Sequence, residues 1–306
     1  MFFLNILKAP KITLIPTQKK SFFLKFRKTE EGNELKEMTF IDHLEALRWH
    51  IVRSIIAWIV AAIIIFINSD WIFDNVILAP SNNNFISYSA FCNFGKFLHL
   101  GESLCMPPVE IPLQGNTMSG PFLAAINISL IGGFIAVFPY IFYEFWKFIK
   151  PALSLKELKY GRKSIFWVSF CFFIGCAFGY YLLAPFTFNF LANFTIGKTG
   201  AYKYMPTLDD YIDTLTNLLL GCGIAFELPI LAVVLAKIGL ISATFLKNYR
   251  KYAYIIILIL AAVITPSPDW ISQIIVALPL LILFEISIVL VKKIDKKKIE
   301  EEKQWE

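Results

Sequence analysis

The chain has 306 residues, is 57% hydrophobic and 16% aromatic, and carries a formal net charge of +6. A mean hydropathy of +0.62 is too high for a soluble domain of this length, and the apolar residues fall in long continuous runs without alternation, which argues for membrane-spanning helices over barrel strands. The positive charge is therefore no nucleic-acid signal; it belongs to segments flanking a membrane, where it also suits anionic lipid headgroups.

Residues 1–37 read as a polar, basic cytoplasmic tail. Phe2–Leu7 is too short for the apolar region of a cleaved export signal, and no small-residue cleavage site follows. Ile41–Arg48 reads as the amphipathic start of a helix, with Thr39 or Asp42 as N-cap. Six apolar runs follow in order: Trp49–Ile67, Phe122–Ile149, Ser164–Leu183, Ile212–Ala236, Tyr252–Ile264 and Ile271–Val291. A helix needs ~20 such residues to span. Of the 29 Lys and Arg, only Lys96, Lys198 and Lys203 lie in the three base-poor segments Asn68–Gly120, Ala184–Tyr211 and Thr265–Trp270. The rest lie in the N-terminal tail, Lys150–Lys163, Lys237–Lys251 and the C-terminal tail, or at span edges. Basic segments stay cytoplasmic, so both termini are expected inside, and six spans satisfy that. Residues 38–291 read as one membrane domain and 292–306 as a charged cytoplasmic tail.

The runs are unequal. Phe122–Ile149 would reach ~42 Å at 1.5 Å per residue, so it must tilt, bend or protrude, and Pro139 is a candidate kink. Tyr252–Ile264 would reach only ~20 Å, against a hydrocarbon core of ~30 Å. Thr265-Pro266-Ser267-Pro268-Asp269 then turns the chain into a short final hairpin.

Three glutamates fall in or near the runs. Glu144 reads as an interfacial carboxylate paired with a Lys. Glu285 is close enough to the cytoplasmic edge to snorkel to water. Glu227, in Ala225-Phe226-Glu227-Leu228-Pro229, lies well inside its run, where an ionised acid costs roughly 2.5–3.5 kcal/mol and usually faces a cavity or partner. Pro229 would free backbone carbonyls beside it. Asp213 sits at an outer edge within reach of water. Glu45 and Glu157, on the cytoplasmic side, read from composition alone as solvated charges or as partners of Arg48, Lys156 and Lys159. Cys171, Cys176 and Cys222 read as small packing residues. Cys92 and Cys105 share the long outer loop, as a disulfide or as two free thiols. No metal-ligand spacing connects the cysteines with the three histidines.

From about Met38 to Val291 the chain resembles the TatC family, the multispanning core subunit of the twin-arginine protein translocase. The resemblance rests on an ordered set of motifs: Asp42-His43-Leu44-Glu45-Ala46-Leu47-Arg48; Ala79-Pro80; Phe148-Ile149-Lys150-Pro151-Ala152-Leu153; Phe178-Gly179-Tyr180 with Pro185; Gly223 through Pro229; Thr265 through Asp269; Ser272-Gln273; Leu278-Pro279; and Phe284-Glu285. It implies an all-α membrane protein of six spans with both termini cytoplasmic, arranged as a concave, glove-like wall in the bacterial inner membrane. It implies signal-peptide binding through Glu45 and Glu157, with Arg48 beside them, and intramembrane contact with single-span subunits of the TatA and TatB type through Glu227 and Gln273. Pro80, Pro139 and Pro229 are its structural bends. The implied activity is receipt of folded proteins bearing twin-arginine signal peptides, and their passage across an energised membrane within an oligomeric complex, without a cofactor. Residues 1–37 lie outside the resemblance, Asn82–Asn116 is longer than the family usually shows, and Trp49-His50 follow Arg48 where a further basic residue is common.

A proton-coupled secondary transporter is the runner-up, since it too would use buried acids. It usually shows corresponding interrupted helices in two related halves, and no such symmetry is visible. An enzyme is not expected: His-Glu-x-x-His, Gly-x-Ser-x-Gly and a phosphate loop are all missing from the sequence.

Overall fold

The computed structural model describes residues 40–82, 85–97, 99, 105, 113–149, 161–193, 205–239, 241–265 and 270–303. Among these the secondary structure is helical, with one isolated bridge between Gln114 and Thr207 and no sheet. The helices are α1 (Phe40–Ile67), α2 (Ser69–Ile72), α3 (Ile86–Phe97), α4 (Gly120–Ile149), α5 (Gly161–Phe178), α6 (Ala184–Asn193), α7 (Leu208–Ala225), α8 (Leu228–Ile238), α9 (Ala243–Asn248), α10 (Arg250–Ile264) and α11 (Trp270–Lys303).

Among the described residues, five stretches are long and apolar enough to cross a membrane: Leu44–Ile67, Gly120–Ile149, Ile165–Asn193, Leu208–Lys237 and Gln273–Lys296. The expected fifth run forms α10, whose 15 residues reach ~22 Å, short of a ~30 Å hydrocarbon core. Most large side chains on α1 point outward, Ile55, Ile56, Ile59, Ile63 and Ile64 among them, as a face bathed in lipid requires.

Two expected boundaries are corrected. The run expected to end at Leu183 continues as helix to Asn193, through a π-turn at Gly179–Leu183. There the Ala184 N–H reaches back to the Gly179 carbonyl, and this wider turn accommodates Pro185, which has no N–H to give. Packing sustains the extension: Phe188 stacks on Tyr211 and Phe91 meets Phe186. The run Ile212–Ala236 is two helices, not one. Pro229 lacks the N–H that would bond the Ala225 carbonyl, so α7 ends at Ala225 and α8 restarts at Leu228. Pro139, by contrast, lies inside an unbroken α4.

The core is centred on α7. Tyr211, Ile212, Leu215 and Leu218 are all but inaccessible and pack with Leu183 just before α6, Phe188 of α6, Ile257 and Ala261 of α10, and Val276 and Leu280 of α11. Gly175 and Gly179, four residues apart, let α5 press directly on α7. A Cβ at Gly175 would stand 2.5 Å from the Cys222 carbonyl oxygen, and one at Gly179 would stand 2.8 Å from that of Leu218. Small residues at this spacing allow close backbone approach where lipid offers no hydrophobic drive for helix association.

The end of the fold around residues 76–80 is held by tyrosines. The π-turn Phe73–Ile77 and the 3-10 turn Ala79–Ser81 leave carbonyls without helical partners. Tyr180 Oη donates to the Val76 carbonyl at 2.7 Å, Tyr211 Oη to Ile77 at 2.7 Å and Tyr88 Oη to Pro80 at 2.9 Å. Burial pushes the Tyr88 phenol up, which keeps its proton on the oxygen as a donor. Pro80 is itself buried beneath this cluster. Cys92 of α3 is joined to Cys105 in a disulfide, with Cα atoms 4.2 Å apart. Thr207 caps α7: its Oγ1 accepts from the Asp210 N–H at 3.1 Å.

At the opposite end Gly239, with φ of 86°, closes α8 in the left-handed region that glycine tolerates. Ser242 Oγ accepts from the Phe245 N–H, and Asp295 of α11 accepts from the Ala243 N–H at 2.7 Å, so α11 caps the short helix α9 from across the fold.

Candidate functional site

The sequence points to two groups of carboxylates, one at the base of α1 and one within the α7–α8 break. Glu45 and Arg48 occupy the first turns of α1, and both are exposed. Neither has an ion-pair partner among the described residues. Glu157 lies outside the described residues. α4, whose end leads toward it, packs along α1 in antiparallel register. Trp58 Nε1 donates to the Leu130 carbonyl at 2.7 Å, and a Cβ at Gly133 would meet the Ala62 backbone nitrogen at 2.8 Å.

Glu144 has the lysine partner that the sequence led us to expect, and it is also buried in the protein, only 2% exposed. Its Oε2 is 2.5 Å from His50 Nδ1 and 3.4 Å from Arg53 Nε, both on α1, and Lys147 Nζ is 3.6 Å from Oε1. A carboxylate taken out of water must hold such partners or lose its charge. The expected Lys is present, but the two α1 partners were missed. Their spacing was the available signal: His50 and Arg53, three apart, lie on one helix face.

Glu285 is likewise engaged, not simply snorkelling. Arg250 Nη2 lies 2.6 Å from its Oε2, and Tyr254 Oη donates to its Oε1 at 2.5 Å, which ties α10 to α11. Gln273 serves the same hairpin nearer its tip: its Nε2 donates to the Leu258 carbonyl at 3.1 Å. Asp213 is exposed, and its Oδ1 accepts from Asn127 Nδ2 at 3.1 Å.

Glu227 sits in the turn between α7 and α8. Its N–H donates to the Ile224 carbonyl, and its own carbonyl accepts from Leu231, so the backbone is satisfied locally. In the side chain, Oε1 is buried and has no hydrogen-bond partner among the described residues. A buried acceptor of this kind has a desolvation penalty of ~1–3 kcal/mol that a donor from outside the chain would offset. No group of three His, Cys, Asp or Glu able to hold a metal ion occurs among the described residues.

Comparison with known proteins is consistent across family, sequence and structure. Residues 42–279 match the family model "Sec-independent protein translocase protein (TatC)". The Sec-independent protein translocase protein TatC of Blattabacterium sp. subsp. Periplaneta americana is 43% identical over 267 residues, covering 87% of this chain and 99% of that protein. The TatC protein of Aquifex aeolicus is 32% identical over 266 residues, covering 87% of this chain and all of that one. A crystal structure described as the twin arginine translocase receptor TatC superposes with a TM-score of 0.62 at 33% identity, over 82% of this chain and 98% of that one. The solute-transporter reading is set aside by these matches. A helical, multi-pass chain with this pattern of matches belongs to the TatC family of Sec-independent protein translocase proteins.

Proposed function

We propose that this chain is the receptor subunit of a twin-arginine translocase. It binds the signal peptides of folded cargo at its cytoplasmic face and contacts single-span subunits inside the membrane, in a complex driven by the proton gradient across the bacterial inner membrane. The observation that carries the reading is Glu45, exposed beside Arg48 at the foot of α1 and without an ion-pair partner among the described residues, in a chain of this family. A carboxylate accepts the planar fork of a guanidinium in a bidentate pair, which a lysine ammonium cannot reproduce. Two acids, Glu45 and Glu157, match two consecutive arginines.

Glu45→Ala and Glu157→Ala should each weaken binding of a twin-arginine peptide about tenfold or more, the loss expected when one charge-assisted hydrogen bond is removed. Replacing either peptide arginine with lysine should weaken binding to the parent protein as well. Fluorescence anisotropy with a labelled peptide reads both effects, and unchanged affinity in both variants would overturn this role.

The same reading takes α10 as a sixth, short span, so that both ends of a concave wall are cytoplasmic. Single cysteines placed near Asn116 and Lys198 should react with a membrane-impermeant maleimide in intact cells, whereas those near Lys156 and Lys298 should react only after lysis. Labelling of the C-terminal tail from outside would disprove this topology.

A further inference from the structure

The buried carboxylate Glu144 is used by none of the roles above, and its position suggests one. α1 is the least embedded of the long helices: only 6% of its apolar window is buried. In lipid, apolar contact alone does little to hold two helices in register. Specific contacts must do so, and they run along the α1–α4 seam. Ala62 lies against Gly133, Trp58 donates to the Leu130 carbonyl, and His50 with Arg53 meets Glu144. The last is the polar tether at the cytoplasmic end, where Phe148 also meets the His50 ring edge-on at 6.5 Å.

The hydrogen-bond pattern of the tether can be worked out. His50 Nδ1 lies 2.5 Å from Glu144 Oε2 and 3.2 Å from Arg53 Nη2. A guanidinium only donates, so Nδ1 cannot accept from it and also donate to the carboxylate. The shorter contact assigns the proton to Nδ1, which points at Glu144, and leaves Arg53 to engage the carboxylate through Nε at 3.4 Å. One α4 carboxylate is thus gripped by two α1 side chains three residues apart, with Lys147 closing from its own helix at 3.6 Å. A buried ionic cluster contributes less to net stability than to the choice of one arrangement over its neighbours. Arg48 is two residues from His50, and Glu45 is five residues away, ~7.5 Å along the axis. A slip of one residue in α1 would turn both through about 100°.

We propose that the His50–Glu144 pair is a positioning clasp. It holds the cytoplasmic end of α1, with Glu45 and Arg48, in one orientation against the end of α4 that leads to Glu157. The inference rests on the recognition reading given above, and its test separates the two.

The full-length protein in lipid nanodiscs, with Cys171→Ala, Cys176→Ala and Cys222→Ala, would be spin-labelled at Leu44→Cys and Phe145→Cys, both exposed positions. The distance distribution between the labels should be narrow in the parent. It should broaden in Glu144→Gln and in His50→Ala, with a loss of about tenfold in twin-arginine peptide affinity, and the double variant should be no worse than either single one. His50→Lys, which again places a hydrogen-bond donor facing Glu144, should recover both the narrow distribution and the affinity. A distribution that stays narrow in Glu144→Gln and His50→Ala overturns the clasp. A broadened distribution with parental affinity, alongside a Glu45→Ala variant that does lose affinity, overturns positioning while leaving recognition at Glu45 intact. Parental affinity in Glu45→Ala itself counts against the recognition reading and is measured independently of the clasp.

Discussion

Gly175→Leu should abolish accumulation of the folded protein in the membrane, and Gly175→Ala should lower its unfolding temperature. A Cβ at Gly175 would stand 2.5 Å from the Cys222 carbonyl oxygen and 2.9 Å from the Gly223 Cα. These are backbone atoms of α7, so no side chain can rotate out of the way. The helices would have to separate, which loosens the packing around Phe172, Leu215, Leu218 and Cys222, all almost fully buried. Overpacking of this kind costs about 1–3 kcal/mol for a single methyl in a rigid setting, and more for a larger side chain. Gly115→Ala is the control, since nothing lies within 4 Å of its added Cβ, and it should melt with the parent. Thermal unfolding of detergent-purified variants, followed by fluorescence-detected size exclusion, reads the difference. A Gly175→Ala variant as stable as Gly115→Ala would refute the close-packing account.

Glu227→Leu should weaken association with the partner subunits roughly tenfold, whereas Glu227→Gln should retain most of it. The carboxylate lies in the break between α7 and α8, with Oε1 buried and without a hydrogen-bond partner among the described residues. A hydrogen bond to a polar side chain of a neighbouring helix is worth ~1–2 kcal/mol in apolar surroundings, close to the 1.4 kcal/mol that makes a factor of ten. Glutamine keeps an acceptor and adds donors, so the contact survives; leucine removes it. Photocrosslinking from a probe placed at Ile224, which is 59% exposed, would measure partner association, and any affinity for a twin-arginine peptide should be the same in both variants as in the parent. Parental crosslinking in Glu227→Leu would show that Glu227 is not a contact. Loss of the folded protein in both variants would instead assign it a structural role.

The two groups of residues differ in how legible they were. The spans could be read because a hydrocarbon core demands long apolar runs, and a continuous run of twenty residues has few other uses. Topogenic charge is local, so the basic and base-poor segments could be assigned by counting. Glu227 stood out because a lone acid is costly within an apolar run. Pro229 marked the break beside it, since a missing N–H acts on its own helix. Pro185 offered the same local signal, yet the helix runs on to Asn193. A π-turn one residue earlier and the Phe188–Tyr211 stack offset the loss, and the stacking partner comes from a helix far along the chain.

What depends on a neighbour stayed hidden. The burial of Glu144 and its α1 partners could not be read along the chain, because His50 lies 94 residues away in sequence. Glu285 looked free because Arg250 and Tyr254 come from the preceding helix of the hairpin. Gly175 and Gly179 carried a readable small-residue spacing, but only the approach of α7 shows that both contact a backbone carbonyl. By itself the amino-acid order determined which segments are apolar enough to enter a membrane, which loops are basic, and which acid is out of place, because those follow from the free energy of transferring single residues and short runs. The tertiary structure alone decided which carboxylates are paired, where a proline is tolerated and how closely two helices meet, because each of those depends on atoms that the chain brings together only when it packs.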